Sequence, residues 1–146
     1  MTNIETIREA LRRAKVQFFE SADKPMISVL YPIADRRIEI RIYIEDDGQF
    51  LYIRVGDLVE IKPEHPAYGA VVDEVLRNNF SLRFVKVCID PTDGEVVVSG
   101  ESWVLGDSLN MESFDIMFQS VTFGAKHVLQ EVRALMCKWD LSKYSC

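Results

Sequence analysis

The chain has 146 residues, 48% of them apolar and 27% charged, with a formal net charge of −6 and a pI near 4.9. These proportions are those of a single domain, residues 1–146, long enough to close a hydrophobic core without metals or disulfides, and they exclude a disordered chain. The acidity argues against a general nucleic-acid binder, which needs a basic surface to displace counterions. No apolar run approaches the ~20 residues of a membrane span, so no membrane partner is expected.

The first five residues, Met1 to Glu5, show no basic stretch followed by an apolar one and read as no secretory signal. Cys88, Cys137 and Cys146 are widely spaced and form no C-x-x-C pair, so reduced thiols in a cytoplasm are the simplest reading. Thr2 and Glu5 have capping-box spacing, and Ile4, Ile7, Leu11 and Ala14 follow at helical intervals, predicting an amphipathic helix over residues 3–15. On its polar face Glu9–Arg13 and Glu5–Arg8 are spaced for ion pairs. Val16 to Phe19 either extends this helix or begins an extended segment. Ser21 to Pro25 is a polar break, and Met26 to Tyr31 reads as a strand stopped by Pro32 and an Ala34-Asp35 turn.

The stretch Ile38 to Val55 organises the rest. Asp47-Gly48 is a strong type I′ hairpin signal, because that turn needs positive φ at both central residues. Pairing outward sets Ile44 opposite Leu51, Ile42 opposite Ile53 and Ile40 opposite Val55 on one wholly apolar face. A slip of one residue would turn that set to the other side, so the register is well specified. The other face pairs Glu45 with Phe50, Tyr43 with Tyr52 and Arg41 with Arg54. Like charges directly opposite destabilise a sheet, so either Glu39 or Glu45 neutralises the arginines diagonally or Arg41, Tyr43, Phe50, Tyr52 and Arg54 form a partner-binding surface.

Pro66 suits the first turn of a helix carrying Tyr68, Val71, Val72, Val75 and Leu76 as one stripe, with Asn78-Asn79 as its end signal. Asp90-Pro91-Thr92-Asp93-Gly94 is turn chemistry throughout. It predicts the pairs Ile89–Val96, Val87–Val98 and Val85–Gly100 on one face, with Cys88–Val97 and Lys86–Ser99 on the other. From about residue 110 to 137, Phe114, Phe118, Val121, Ala125, Val128, Val132 and Leu135 form one helical seam. Ile116 and Phe123 project from the opposite side as a candidate dimer interface. A bend at Gly124 would instead swing Phe123 into the core, and plain exposure is the third outcome. The tail 139–146 reads as short and flexible.

The predicted order is α-β-β-β-α-β-β-α: an α+β chain with an antiparallel sheet covered by helices and a long C-terminal helix. Together with Lys86-Val87-Cys88-Ile89-Asp90-Pro91-Thr92-Asp93-Gly94-Glu95-Val96, this order resembles the YbjN-like family, which shares the type III secretion chaperone-like fold. The resemblance implies one sheet with helices on one side, commonly in a homodimer. It also implies a non-catalytic, protein-binding adaptor, chaperone-like or regulatory, whose partner is a protein segment or a second copy. The alternatives are a structural domain that only self-associates, or an unrecognised enzyme.

No residue pattern supplies a catalytic site, a cofactor or a metal. His65 and His127 lie on different predicted helices, and a zinc site would need them to converge with acidic ligands. Asp46, Asp47, Asp90 and Asp93 sit in turns, where aspartate bonds the backbone. Cys88 has no histidine nearby in sequence to make it a nucleophile.

Overall fold

The register expected around Asp47-Gly48 is the one the chain adopts. Residues 1–139 are described by a computed structural model, in which all six pairs from Glu45–Phe50 to Ile40–Val55 stand as read from the sequence. Asp47 and Gly48 have φ of 54° and 89°, and the Gln49 amide donates to the Asp46 carbonyl at 3.1 Å, the geometry of a type I′ turn. Asp46 is also left-handed, at φ 48°.

The elements are α1 (Asn3–Arg13), β1 (Phe18–Glu20), β2 (Met26–Ile33), β3 (Arg36–Glu45), β4 (Phe50–Val55), α2 (Tyr68–Ser81), β5 (Val85–Ile89), β6 (Val96–Trp103) and α3 (Met111–Cys137). The strands form one antiparallel sheet in the order β1-β2-β3-β4-β6-β5. The expected α+β order holds with one strand added, the short β1, which resolves the segment left open between α1 and β2.

Three boundaries differ from expectation. The first helix ends at Arg13, because Lys15 turns left-handed at φ 55°. Its capping box forms as read, and Glu9 pairs with Arg13 at 3.0 Å. Glu5 is held by Thr2, so Arg8 reaches Glu20 of β1 instead, at 2.6 Å. Second, β2 runs through Pro32 to Ile33. The Leu30 amide faces β1, donating to Gln17, so the ring nitrogen of Pro32, two residues on, faces the same edge beyond the end of β1, where no ladder bond is lost. Third, α2 continues past Asn78-Asn79 to Ser81 and buries Val71, Glu74, Val75 and Asn78. Val72 is half-buried and Leu76 exposed, since the buried positions follow i, i+3, i+4, i+7.

The apolar face of the sheet and the helices form one core. Ile27, Val29, Ile40, Ile42, Ile53, Val55, Val96 and Val98 are fully buried with Val121, Ala125, Val128, Leu129 and Val132 of α3. The expected seam is in place, with Leu135 packed at its margin. α3 lies over the sheet and touches α1 and α2, while α2 also flanks β5. The helix is continuous through Gly124, where a Cβ would lie 3.2 Å from a Val85 methyl. That glycine admits the strand; it does not break the helix.

The segment between β4 and α2 bridges to the start of β6, with the Ile61 amide donating to Gly94 and the Val96 amide to Val59, both at 2.9 Å. Gly94, at φ 82°, sits so close to the Ile61 carbonyl that no side chain fits there. Cys88 is free, but Cys137 is disulfide-bonded, so the reduced-thiol expectation holds only at Cys88. The tail expectation for 140–146 lies outside the described residues.

Candidate protein-interaction surface

Because side chains alternate along a strand, the face opposite the core carries every second residue. Register brings Phe19, Ser28, Arg41, Arg54, Ser99 and Lys86 into one row across all six strands. A second row runs Met26, Tyr43, Tyr52, Glu101, and a third Glu45, Phe50, Trp103. All five residues read as a partner surface therefore lie together on one face, to which no described helix packs.

Tyr43 and Tyr52 stack with ring centroids 5.6 Å apart, and Phe50 meets Trp103 at 4.9 Å and 54°. Trp103, at 67% exposure, is the largest apolar group on this face and was missed by sequence reading. Its only signal was the strand alternation through Val97, Ser99 and Glu101, which sets it on the face away from the core.

The facing arginines do not confront each other uncompensated. Arg41 bonds Glu39 at 3.1 Å, two residues back along its own strand rather than diagonally across the pair, and Arg54 bonds Glu95 at 2.9 Å. Glu95 also accepts from the Asp57 amide, and Lys86 pairs with Glu101. Bonds from Ser28 and then Arg41 hold the Glu39 carboxyl below its ordinary pKa, while Glu39 raises that of Arg41. Glu101 likewise raises that of Lys86. The row of cations is thus internally neutralised; the exposed Arg41–Glu39 and Lys86–Glu101 pairs contribute little to stability, while the Arg54–Glu95 pair is largely buried. Desolvation on the sheet raises the Cys88 thiol pKa, against the pull of Lys86 and Arg54, which keeps it the poorly nucleophilic thiol.

On α3, Ile116 and Phe123 are 60% and 66% exposed, which removes the bent-helix outcome. A shallow groove of about 520 Å³ links Trp103, Val104 and Leu105 to Ile116 and Met117. It joins one end of the sheet face to α3, while Phe123, two turns further on, lies outside it. Asp90, Asp93 and Glu95 place ligand atoms within 4.8 Å of one another. Each is engaged already: Asp90 by Thr92, Asp93 by the Glu95 amide, Glu95 by Arg54. His65 accepts from the Ala67 amide at 3.0 Å at the entry to α2. Among the described residues, no helix is long and apolar enough to cross a membrane.

The fold is shared with known proteins. A family model described as "Putative bacterial sensory transduction regulator", YbjN, matches residues 3–132. YbjN from E. coli has a crystal structure with a TM-score of 0.68, 19% identity, and coverage of 90% of this chain and 91% of that one. A chain of the heterodimeric ExoU-SpcU complex from the type III secretion system of Pseudomonas aeruginosa has a TM-score of 0.60 at 19% identity, covering 85% and 95%. A chain of the HopA1-SchA chaperone-effector complex has a TM-score of 0.60 at 9% identity, covering 87% and 92%. At such identities the likeness is one of fold. No curated protein matches the sequence. With the family model spanning nearly all of its described elements, the chain belongs to the YbjN family.

Proposed function

We propose that this chain is a non-catalytic adaptor, chaperone-like or regulatory, that holds a segment of a partner protein against its uncovered sheet face. The observation that carries this reading is the pair of aromatic contacts, Tyr43–Tyr52 and Phe50–Trp103, set beside the neutralised Arg41 and Arg54 on a face to which no described helix packs. Tyrosine, tryptophan and arginine are the residue types on which binding energy concentrates. The same fold in a chain of a chaperone-effector complex and in a chain of a heterodimeric type III secretion complex gives the reading support by analogy.

Affinity capture with the native chain and with Arg41→Ser/Tyr52→Ser tests it. One dominant protein should be captured by the native chain and lost at least tenfold by the variant, with thermal unfolding nearly unchanged. Equal capture by both removes this face from the function.

A second reading is favoured by Ile116 and Phe123, large apolar side chains left exposed on a continuous helix. There the chain associates with a second copy through α3, as a homodimer with or without a further partner. The proposed setting is the cytoplasm. Cell fractionation with the chain traced by antibody tests it, and recovery outside the cytoplasmic fraction would overturn it.

A further inference from the structure

Strand β5 begins at Val85, which pairs with Gly100 on the core side of the sheet. Simple alternation would send Phe84 to the opposite face, beside Lys86 and Cys88. Phe84 instead has φ of 68°, a left-handed conformation that is a true outlier for a bulky side chain. This turn lays its ring over Gly100. A Cβ at Gly100 would collide with the ring and lie 2.8 Å from a Val121 methyl of α3. The ring therefore fills a slot with a glycine backbone as its floor and a valine of the long helix as its wall. Its wall and floor carry no charge. Gly124 admits Val85 and Leu82 at 3.2 and 3.6 Å from its own would-be Cβ, so the segment that carries Phe84 lies close against the long helix.

A ring committed to the core would be closed over, as Val121 is at 0% exposure; Phe84 is 40% exposed. It is carried by a segment, Leu82 to Phe84, that belongs to no helix or strand. The backbone strain weighs only on the state in which Phe84 is seated, and a ring supplied from outside would not carry it.

We propose that the slot over Gly100 is a binding site for an aromatic side chain of a partner polypeptide, with Phe84 as a resident plug that the incoming ring displaces. The occupant is an aromatic ring because the slot already accommodates one, beside a glycine backbone and a valine methyl. The site lies on the helix side of the sheet and does not depend on the uncovered face carrying the partner.

The test is an NMR titration of the isotopically labelled chain with N-acetyl-phenylalaninamide, with N-acetyl-alaninamide as control. The amides of Gly100 and Val121 should shift saturably with the aromatic probe alone. Phe84→Gly, which suits the left-handed φ and vacates the slot, should bind the probe at least tenfold more tightly than the native chain, since native affinity is reduced by the fraction of open slots. Equal affinities, or no saturable shift at Gly100, would overturn the proposal. A native-chain arm does not depend on the variant folding: with a fluorinated ring at Phe84, probe binding should move the fluorine resonance to its solvent position, and a resonance that stays fixed at saturation overturns the plug. Arg41→Ser/Tyr52→Ser should leave all these readings unchanged, so the two surfaces stand or fall separately.

Discussion

Asn79 hydrogen-bonds both backbone groups of Val87: its amide nitrogen donates to the Val87 carbonyl at 2.7 Å, and its Oδ1 accepts from the Val87 amide at 2.8 Å. β5 is an edge strand, and an open edge is a template for pairing with another chain. One side chain of α2 thus takes the place of a neighbouring strand at this point.

Asn79→Ala should remove that pairing and cost ~1–3 kcal/mol in urea unfolding. Light scattering on mild heating should also show earlier aggregation than in the native chain. A loss below about 0.5 kcal/mol would mean that water replaces the amide without penalty.

Asn3 joins three distant segments. Its side-chain amide donates to the Gly48 and Gly106 carbonyls at 2.7 Å each, and its Oδ1 accepts from the Leu109 amide at 3.1 Å. Asn3→Ala leaves three partners unmatched around a buried position, with an expected loss of ~2–4 kcal/mol by denaturant titration. Asn3→Asp, which turns a carboxylate oxygen towards the two carbonyls the amide had donated to, should lose at least as much as Asn3→Ala at pH 7.

Ile42 lies at the centre of the sheet, paired with Ile27 and Ile53 and fully buried. Ile42→Ala should cost ~2–5 kcal/mol, a large share of the ~5–15 kcal/mol of a typical domain. A measured loss below about 1 kcal/mol would show that the site collapses around the missing methyls.

Several carboxylates are held below their ordinary pKa: Glu5 by Thr2, Glu20 by Arg8, Asp35 by Arg133, Glu39 by Ser28 and Arg41, Asp90 by Thr92. A depressed folded-state pKa contributes stability that is present above the unfolded value and lost as pH falls through the folded one. Unfolding free energy should therefore decline as pH drops below the ordinary glutamate value of 4.5. Glu20→Gln should make that decline shallower while changing stability at pH 7 by no more than about 1 kcal/mol. A decline of unchanged steepness would assign acid sensitivity to the other four groups.

Phe123→Asp tests the exposed side of α3. The residue lies outside the core, so the variant should fold with little loss of stability. If α3 is a self-association surface, sedimentation should show a native dimer converted to a monomer. A folded variant of unchanged mass would leave Phe123 as an ordinary exposed side chain, of the kind common on protein surfaces.

Strand pairing was legible because its causes are local. Asp47-Gly48 and Asp90 to Gly94 set the two turns, and the two-residue alternation of isoleucine and valine carried the register outward, so pairs as far apart as Ile40–Val55 and Val85–Gly100 followed directly. The α3 seam was legible for the same reason, since a helical period needs only neighbours in sequence. The α2 stripe was misjudged at Val72 and Leu76 because Glu74 and Asn78 take two of the buried positions, which periodicity of apolar residues cannot show.

What the sequence by itself determined is the order of elements apart from β1, the two hairpin registers and the division of the sheet into an apolar and a mixed face. Only the tertiary structure decided which residues close the gaps between elements. Arg8 pairs with Glu20 rather than Glu5, Glu95 reaches Arg54, Asn79 caps β5, Trp103 joins Phe50, and Phe84 leaves strand alternation to lie over Gly100. The physical reason is range. Turn propensity and side-chain alternation act over a few residues, whereas each of these contacts needs two segments already brought together by packing.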